Sequence, residues 1–143
     1  MAIEKIMNKT VITVEMDDTL KLIKEIFDNS GVHHVLVVDA ERLFGIISDR
    51  DFLRAISPNI GTAAETSKDA KTLNKRAHQI MTRRPVTLVP YAEIHDAIHL
   101  FNQYSISCIP VVDNENRPIG IISWRDIFKA LESHRRNAPA QAD

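Results

Sequence analysis

The chain has 143 residues, 44% of them apolar and 26% charged, and a formal net charge of −1. This length suits one domain or two small fused domains, and the near-zero charge excludes a general attraction to nucleic acid or to an anionic membrane. A single cysteine, Cys108, excludes an internal disulfide. The N-terminus is not typical of a signal peptide, and no apolar run is long enough to span a bilayer. We therefore expect a soluble cytoplasmic protein.

The chain contains an internal repeat. A shift of 74 residues superposes Ile6-Met7 on Ile80-Met81 and gives seven identities within residues 6–39. One extra residue in the second copy raises the shift to 75, which gives seven more identities within residues 45–55. Since a fixed period marks repeated supersecondary units, we predict four segments: repeat 1 (5–57), a partly helical linker (58–78), repeat 2 (79–134) and a disordered tail (135–143).

Each copy predicts the same order of elements. In repeat 1 a β-branched strand at 11–14 precedes an amphipathic helix from Leu20 to Phe27 that Gly31 ends, and strands follow at 35–38 and 43–48 before a second helix. The corresponding segments of repeat 2 are 86–89, 94–104, 109–112, 118–123 and the helix that follows. A strand-helix-strand-strand-helix unit cannot bury its own sheet face well. We therefore predict an α/β (α+β) fold in which two such units pack with pseudo-two-fold symmetry.

The connection between the copies is basic. Residues 62–84 contain six Lys or Arg and two Asp or Glu. Because a structureless connection of about twenty residues is unusual in a compact domain, we expect part of Ala63–Ala77, which is rich in helix formers, to be helical. The charge is typical of a solvated linker face, and docking to an acidic partner or to nucleic acid is the alternative.

The densest match between the copies is the sequence Gly-Ile-Ile-Ser-x-Arg-Asp, at 45–51 and at 120–126. The serine ends a strand and can cap the helix that begins there, while the aspartate can reach back to the cap. Helix amides and an arginine attract phosphate, and an ionised carboxylate accepts hydrogen bonds from ribose hydroxyls. A plain capping box is the structural alternative for one copy, whereas the duplication favours a ribose-phosphate site.

This repeat, with Ile-Pro-Val-Val-Asp at 109–113 followed by Gly-Ile-Ile-Ser, resembles the CBS domain, named for cystathionine β-synthase. The resemblance covers about residues 5–56 and 79–132, and a tandem pair is often called a Bateman module. It implies binding of AMP, ADP, ATP or S-adenosylmethionine in clefts between the repeats, and regulation of a partner protein. No catalytic grouping or metal site is evident in the sequence, so we expect a stand-alone regulatory module rather than an enzyme.

Carried over onto this chain, the resemblance implies two nucleotide sites, each joining the helix start of one repeat to the strands of the other. The residues of one site are Ser123, Arg125, Asp126, Ile12, Thr13, His34 and Val35, and those of the other are Ser48, Arg50, Asp51, Val86, Thr87, Cys108, Ile109 and Pro110. Repeat 1 has Val35-Leu36 in place of the proline that the family pattern includes. If only one site is filled, we therefore expect it to be the one that contains Asp51 and Pro110.

Other candidate residues favour structural roles. His95 and His99 lie four apart on a predicted helix, but no third metal ligand follows, so we expect them to be solvated. Either His33 or His34 lines the ligand cleft in one interpretation, because an imidazole that titrates near pH 6.5 suits phosphate. Cys108 is expected to be a small buried residue. For Trp124 the sequence leaves two interpretations open, a contact between subunits and a contact with the ligand.

Two alternatives to nucleotide sensing stay open. The first is a ligand-free structural or protein-interaction module, in which the helix-start residues only cap. The second is a nucleic-acid binder that uses the basic linker, which the net charge of −1 argues against. In either case a tandem pair exposes an apolar helical face, so we expect a homodimer.

Overall fold

The structure, a computed structural model, describes residues 1–137. Its strands and α-helices follow in chain order as β1 (Thr13–Glu15), α1 (Leu20–Ser30), β2 (His34–Asp39), β3 (Arg42–Ser48), α2 (Asp49–Ala55), α3 (Ser67–Ala70), α4 (Ala77–Ile80), β4 (Thr82–Arg83), α5 (Ile94–Gln103), β5 (Cys108–Val112), β6 (Pro118–Ser123) and α6 (Trp124–Asn137). Short 3-10 turns occupy Ile3–Lys5 and Lys71–Asn74. The predicted mixed α+β class is confirmed. None of the helices within 1–137 combines the length and apolar character that crossing a membrane requires.

The contacts divide the chain into two compact units. The repeat-1 unit is Val11–Pro85, and the repeat-2 unit joins Met1–Thr10 to the chain from Val86 onward. The first residues of each sequence repeat therefore belong to the compact unit of the other repeat. The predicted domain boundaries follow sequence similarity and stay a prediction.

The repeat-1 unit is built on a four-stranded sheet in the order β1-β2-β3-β4. The β1 strand pairs with β2 in parallel, while β2–β3 and β3–β4 are antiparallel. Four consecutive residues of the inner strand β2 are buried, from Val35 to Val38, as its continuous apolar sequence predicts. The cluster around them includes Leu20 and Ile23 of α1, which Gly31 ends at φ 70° as predicted.

The repeat-2 unit contains the hairpin β5–β6, with Cys108 opposite Ser123 at its open end. The prediction of a strand at 86–89 is wrong in its length. Within this segment only Leu88 forms a bridge, which is parallel and pairs it with Val111. The chain there runs between two prolines, Pro85 and Pro90. Proline donates no ladder hydrogen bond and restricts its neighbours, so the pairing is limited to the two bonds that Leu88 makes, with Pro110 and Val112.

A methionine covers the glycine of the Gly-Ile-Ile-Ser segment in each unit. A Cβ on Gly45 would lie 2.8 Å from Cγ of Met81, and one on Gly120 would lie 2.9 Å from Cγ of Met7. Both distances are shorter than real Cβ contacts, so a side chain at either position would displace the methionine. The two methionines are themselves equivalent in the sequence repeat, and each lies among the first residues of its repeat.

The linker contains α3, a 3-10 turn and the start of α4, so helical turns form within the segment whose composition predicts them. Arg76 donates to the carbonyl of Asp17, and Lys75 donates to the carbonyl of Ala55. These bonds attach part of the basic segment to the repeat-1 unit, whereas Lys68 and Lys71 are exposed, as expected for a solvated face.

The predicted disordered tail, 135–143, begins too early. Helix α6 continues to Asn137, so the first three residues of that range are helical. Positive side chains, among them Arg135 and Arg136, lie in its last turn, where they interact favourably with the helix dipole. The rest of the predicted tail, 138–143, lies outside the described residues.

Candidate functional site

The start of α2 forms a complete capping box. The Ser48 hydroxyl accepts a hydrogen bond from the amide of Asp51 at 3.0 Å, and the Asp51 Oδ2 atom accepts one from the amide of Ser48 at 3.0 Å. Asp51 is partly buried. The cap uses one carboxylate oxygen, and Oδ1 of Asp51 takes part in none of the hydrogen bonds found within residues 1–137. One acceptor of this carboxylate is therefore left for another donor.

The start of α6 repeats this arrangement. The amide and the hydroxyl of Ser123 donate to Oδ2 of Asp126 at 2.8 and 3.0 Å, and the Asp126 amide donates to the Ser123 hydroxyl at 3.3 Å. Again Oδ1 of the aspartate has no bond to a described residue. The two sequence copies thus place the same groups in the same relation, which the sequence predicted as a duplicated cap.

The arginine of each signature projects from the first helical turn. Arg50 and Arg125 are exposed, and within residues 1–137 neither forms a hydrogen bond or an ion pair. A guanidinium without a carboxylate partner keeps all five donors for an anion. Each helix start thus offers a carboxylate oxygen and a guanidinium within one turn, a set that suits the hydroxyls and the phosphate of a ribose phosphate.

The strand residue beside each cap belongs to the same repeat. His34 is opposite Ser48 in the β2–β3 ladder, and Cys108 is opposite Ser123 in the β5–β6 ladder. The β1 strand lies on the other side of β2, where the amide of Leu36 donates to the carbonyl of Ile12. Within each unit, the helix start is therefore adjacent to strands of its own repeat.

Each compact unit contains the predicted site residues of one repeat. The repeat-1 unit brings together the predicted site residues Ile12, Thr13, His34, Val35, Ser48, Arg50 and Asp51, and the repeat-2 unit brings together Val86, Thr87, Cys108, Ile109, Pro110, Ser123, Arg125 and Asp126. The predicted combination joins the helix start of one repeat to the strands of the other, and it stays a prediction.

Three of the predicted nucleotide-site residues are core residues. Val35 and Ile109 have no exposed surface and belong to the central clusters of their units, and Pro110 is wholly buried as well. Their contribution to packing is observed, whereas their contact with a ligand stays a prediction. By contrast, Thr13 and the two arginines are exposed, and Val86 and Thr87 are partly buried.

A histidine and two carboxylates surround the cap of repeat 1. Burial lowers the pKa of His34, and the charge of His33 lowers it further, while Asp49 and Asp51 act in the opposite direction. His33 itself is exposed, with its Nδ1 atom 2.9 Å from Oδ2 of Asp49. The sequence offered both histidines as candidates for the cleft, and the structure places His34 next to Ser48. The contact between His33 and Asp49 was missed, since the two residues are sixteen apart.

The cap of repeat 2 has neutral neighbours instead. Cys108 is buried, as predicted, and burial together with the charge of Asp126 raises the pKa of its thiol to about 12. Trp124 occupies the position equivalent to Asp49 and packs edge-to-face on Phe101 and Phe128, and its indole N–H donates to the carbonyl of Ile106. About half of the Trp124 side chain is exposed.

The predicted exposure of the two helical histidines is confirmed. His95 and His99 are both exposed on α5, and His95 lies 3.5 Å from the carboxylate of Asp96. Within residues 1–137, no group of three or more His, Cys, Asp or Glu side chains is arranged to hold a metal ion.

Comparison with known proteins identifies the repeat. The CBS-domain family model matches residues 3–58 and again residues 77–133. Among curated relatives, a CBS domain-containing protein of Dictyostelium discoideum is 28% identical over 142 residues, which cover 98% of this chain and 97% of the relative. Several other curated relatives, enzymes among them, are longer proteins, and the matched region spans only 23–43% of their length.

Two solved structures share the fold and were determined with ligands. The CBS domain pair of protein MJ0100, in complex with 5′-methylthioadenosine and S-adenosyl-L-methionine, has a TM-score of 0.76 and 25% identity over 93% of this chain and 97% of its own. CBSX2 of Arabidopsis thaliana, in complex with AMP, has a TM-score of 0.78 and 22% identity over 94% of this chain and 98% of its own. Each of these proteins therefore binds an adenosine derivative.

Proposed function

Because this chain belongs to the CBS-domain family, we propose that it is a regulatory module that binds an adenine nucleotide or S-adenosylmethionine and signals the bound state to a partner protein. The observation that carries the proposal is the duplicated helix start, in which Asp51 and Asp126 each keep one carboxylate oxygen outside the cap. A cap alone explains the serine and one oxygen. It does not explain an arginine at the same place in both copies.

The chemistry of adenosine derivatives fits these groups. A ribose offers two adjacent hydroxyls, which donate to a carboxylate oxygen, and a phosphate accepts from guanidinium and from amide donors. Arg50 and Arg125 supply the guanidinium, and Asp51 and Asp126 supply the acceptor. The MJ0100 domain pair, which binds two adenosine derivatives, supports this ligand class. A cytoplasmic location, predicted from the single cysteine, also fits a metabolite sensor.

A regulatory role follows from the same arrangement. The ligand acts on a partner only if it binds two conformations of the module with different affinity. We propose this coupling rather than catalysis, because the serine hydroxyls are engaged in the caps and the groups that remain at each helix start, a carboxylate oxygen and a guanidinium, are binding groups. The enzymes among the relatives are proteins in which the matched region is a minor part.

We also propose that the module is a homodimer. Trp124, Phe128 and Leu131 lie at positions i, i+4 and i+7 of α6, and their side chains are 48, 61 and 46% exposed. This spacing places them on one face of the helix. Leu53 of α2, which is equivalent to Phe128, is 66% exposed. An apolar stripe of this kind is typical of an interface between copies.

The test of ligand binding is thermal unfolding with AMP, ATP and S-adenosylmethionine, each at millimolar concentration. A ligand present at one hundred times its dissociation constant adds about 2.7 kcal/mol to the free energy of unfolding. If none of the three shifts the transition, the proposal fails, and the helix starts act only as caps.

Matched variants separate binding from capping. Asp51→Asn and Asp126→Asn remove the charge and keep an amide oxygen for the cap, so each is expected to weaken ligand binding tenfold or more while costing about 0.3–1 kcal/mol of stability. Asp69→Asn and Asp96→Asn are the controls, since both aspartates complete capping boxes, one in each unit, outside the proposed sites. Equal loss of affinity in the controls would contradict the proposal.

A further inference from the structure

An exposed phenylalanine adjoins two arginines near the β4 edge of the repeat-1 sheet. Phe44 of β3 is 44% exposed, and the alternation of exposed and buried residues along β3 places Arg42 on the same side. Arg84 directly follows β4, and its amide donates to the carbonyl of Phe44 at 3.2 Å. These three residues, Arg42, Phe44 and Arg84, are called the edge patch below.

The guanidiniums of the edge patch have no partner in the part of the chain that the structure describes. Arg42 and Arg84 are exposed, and neither side chain forms a hydrogen bond or an ion pair within residues 1–137. Even Asp39, which is opposite Arg42 in the β2–β3 ladder, makes no ion pair with it. Both guanidiniums can therefore donate to an anion on another molecule.

The repeat-2 unit has the same strand pairing at the equivalent place. Asn8 forms an antiparallel bridge with Ile121 there, just as Thr82 pairs with Ile46 in the repeat-1 unit. The shifts of 74 and 75 residues that define the sequence repeat relate the two pairs. The edge patch can therefore be compared with its equivalent in repeat 2 position by position.

Repeat 2 uses these three positions for internal contacts. Its residues there, in the order of the edge patch, are Arg117, Ile119 and Thr10. Arg117 forms ion pairs with Asp113 at 2.9 Å and with Glu115 at 3.3 Å, and the isoleucine packs against the core of its unit. Repeat 2 thus neutralises its arginine and covers its apolar side chain, whereas repeat 1 presents a bare aromatic ring and a second arginine.

The backbone of Arg84 favours a different residue. Its φ is 50°, in the left-handed region that glycine adopts freely and that strains a long side chain. Pro85 follows, and the residue before a proline favours extended backbone instead. The conformation permits the amide bond to Phe44, but no bond within residues 1–137 uses the guanidinium. Since unfavourable backbone is concentrated at functional positions, an arginine here indicates a contact with another molecule.

We infer that the edge patch docks an acidic segment of the partner protein, whose carboxylates pair with the two guanidiniums and whose apolar side chain covers Phe44. A guanidinium binds a carboxylate through two parallel hydrogen bonds, and aromatic residues and arginine are enriched in protein interfaces. A nucleic acid fits less well, because its affinity depends on the number of phosphates neutralised and the patch has two arginines. The inference rests on the proposed function for the existence of a partner and specifies the chemistry of its docking segment.

The experiment measures the fluorescence anisotropy of a labelled synthetic peptide in which glutamates flank two leucines, at low ionic strength. Arg42→Gln and Arg84→Gly are each expected to weaken binding about tenfold, because each removes a charge-assisted pair of hydrogen bonds. Phe44→Ser should weaken binding as well, and it should make no difference to a second peptide that has serine in place of leucine. Added salt should weaken binding to the unmodified protein, since exposed charges are screened.

Controls separate docking from general charge and from folding. Lys68→Gln removes an exposed positive charge elsewhere in the repeat-1 unit, and Arg117→Gln removes one at the equivalent place in repeat 2, so both should retain peptide binding. Arg84→Gly should leave the midpoint of urea unfolding unchanged or raise it, because glycine relieves the strained φ. Loss of peptide binding without loss of stability is the expected signature of a docking residue.

Three results would overturn the inference: unchanged affinity in the edge-patch variants, equal loss of affinity in the controls, or a lower unfolding midpoint for Arg84→Gly. Tighter binding of a single-stranded oligonucleotide through the same residues would also overturn it and assign the patch to nucleic acid. If an adenine ligand shifts thermal unfolding and the acidic peptide does not bind, this inference alone fails. If none of the adenine ligands shifts the transition, the proposed function fails, whatever the peptide does.

Discussion

Met81 packs its side chain against Gly45, so that the first residues of repeat 2 cover a strand of repeat 1. Met7 and Gly120 form the same pair in the other unit. The glycine of the Gly-Ile-Ile-Ser segment thus serves packing, while the serine three residues later serves the proposed site. One short motif therefore combines a structural and a functional requirement.

The first prediction concerns this contact. Gly45→Ala is expected to lower the free energy of unfolding by about 1–3 kcal/mol, because the new Cβ displaces a buried methionine. The double variant Gly45→Ala/Met81→Ala should lose less free energy of unfolding than the two single variants lose together. The difference, measured by urea unfolding, is expected to be about 0.5–3 kcal/mol. Gly31→Ala is the control, since a Cβ there meets no atom within 4 Å and its cost comes from the positive φ. Coupling between Gly31→Ala and Met81→Ala would contradict the explanation.

The second prediction concerns Cys108. Since the pKa of this thiol is raised to about 12 from 9.0, the native protein should not react with thiol reagents at pH 8, whereas the urea-unfolded chain should react readily. Between pH 9 and 12 the unfolded thiol loses its proton and the folded one keeps it, so stability falls as the pH rises. Cys108→Ala should lack this part of the decline. Rapid labelling of the folded protein would be the contrary result.

The third prediction concerns the ligand-free protein at mildly acid pH. The pKa of His34 is lowered by burial, so the unfolded state binds a proton more readily than the folded state below pH 6.5. The free energy of unfolding should therefore decrease from pH 7.5 to pH 5.5, and less steeply in His34→Gln. Urea unfolding at both pH values measures the difference, and parallel pH profiles for the two proteins would refute it.

The fourth prediction concerns association. Phe128→Glu places a charge in the exposed apolar stripe of α6 and is expected to convert a dimer to a monomer in light scattering, because burying that charge at an interface is unfavourable. Ser133→Glu is the control, as it adds the same charge to the opposite face of α6, where the residue is exposed. A monomeric unmodified protein, or dissociation by both substitutions alike, would reject the interface.

Local signals in the sequence were sufficient for much of the fold. Gly31 ends α1 and the serines begin α2 and α6, because caps depend on a few neighbouring residues. The run Val35–Val38 is buried because it lies on the inner strand of its sheet. These features need no knowledge of distant parts of the chain.

Other features depend on distant residues, and the sequence did not predict them. The strand expected at 86–89 is reduced to one bridge at Leu88, since prolines flank it. The contact of His33 with Asp49 and the covering of Gly45 by Met81 join residues far apart in the chain, for which periodicity carries no signal. For the candidate site, the sequence supplied the serine, arginine and aspartate of each cap, and the structure added the contrast between His34 and Cys108 beside them.

The first residues of each repeat belong to the compact unit of the other repeat, and this affects what happens when the protein is cut between the repeats. A fragment cut at the sequence boundary, ending at residue 57, would keep Gly45 and lose the methionine that covers it, and it would carry Met7 without Gly120. Such a half would expose the surface at Gly45 that Met81 covers in the whole protein. It would also expose the side chain of Met7, whose partner Gly120 it lacks. The two different halves, mixed together, would restore the Met81–Gly45 and Met7–Gly120 contacts. Complementation between separately expressed fragments should therefore succeed where either fragment alone precipitates.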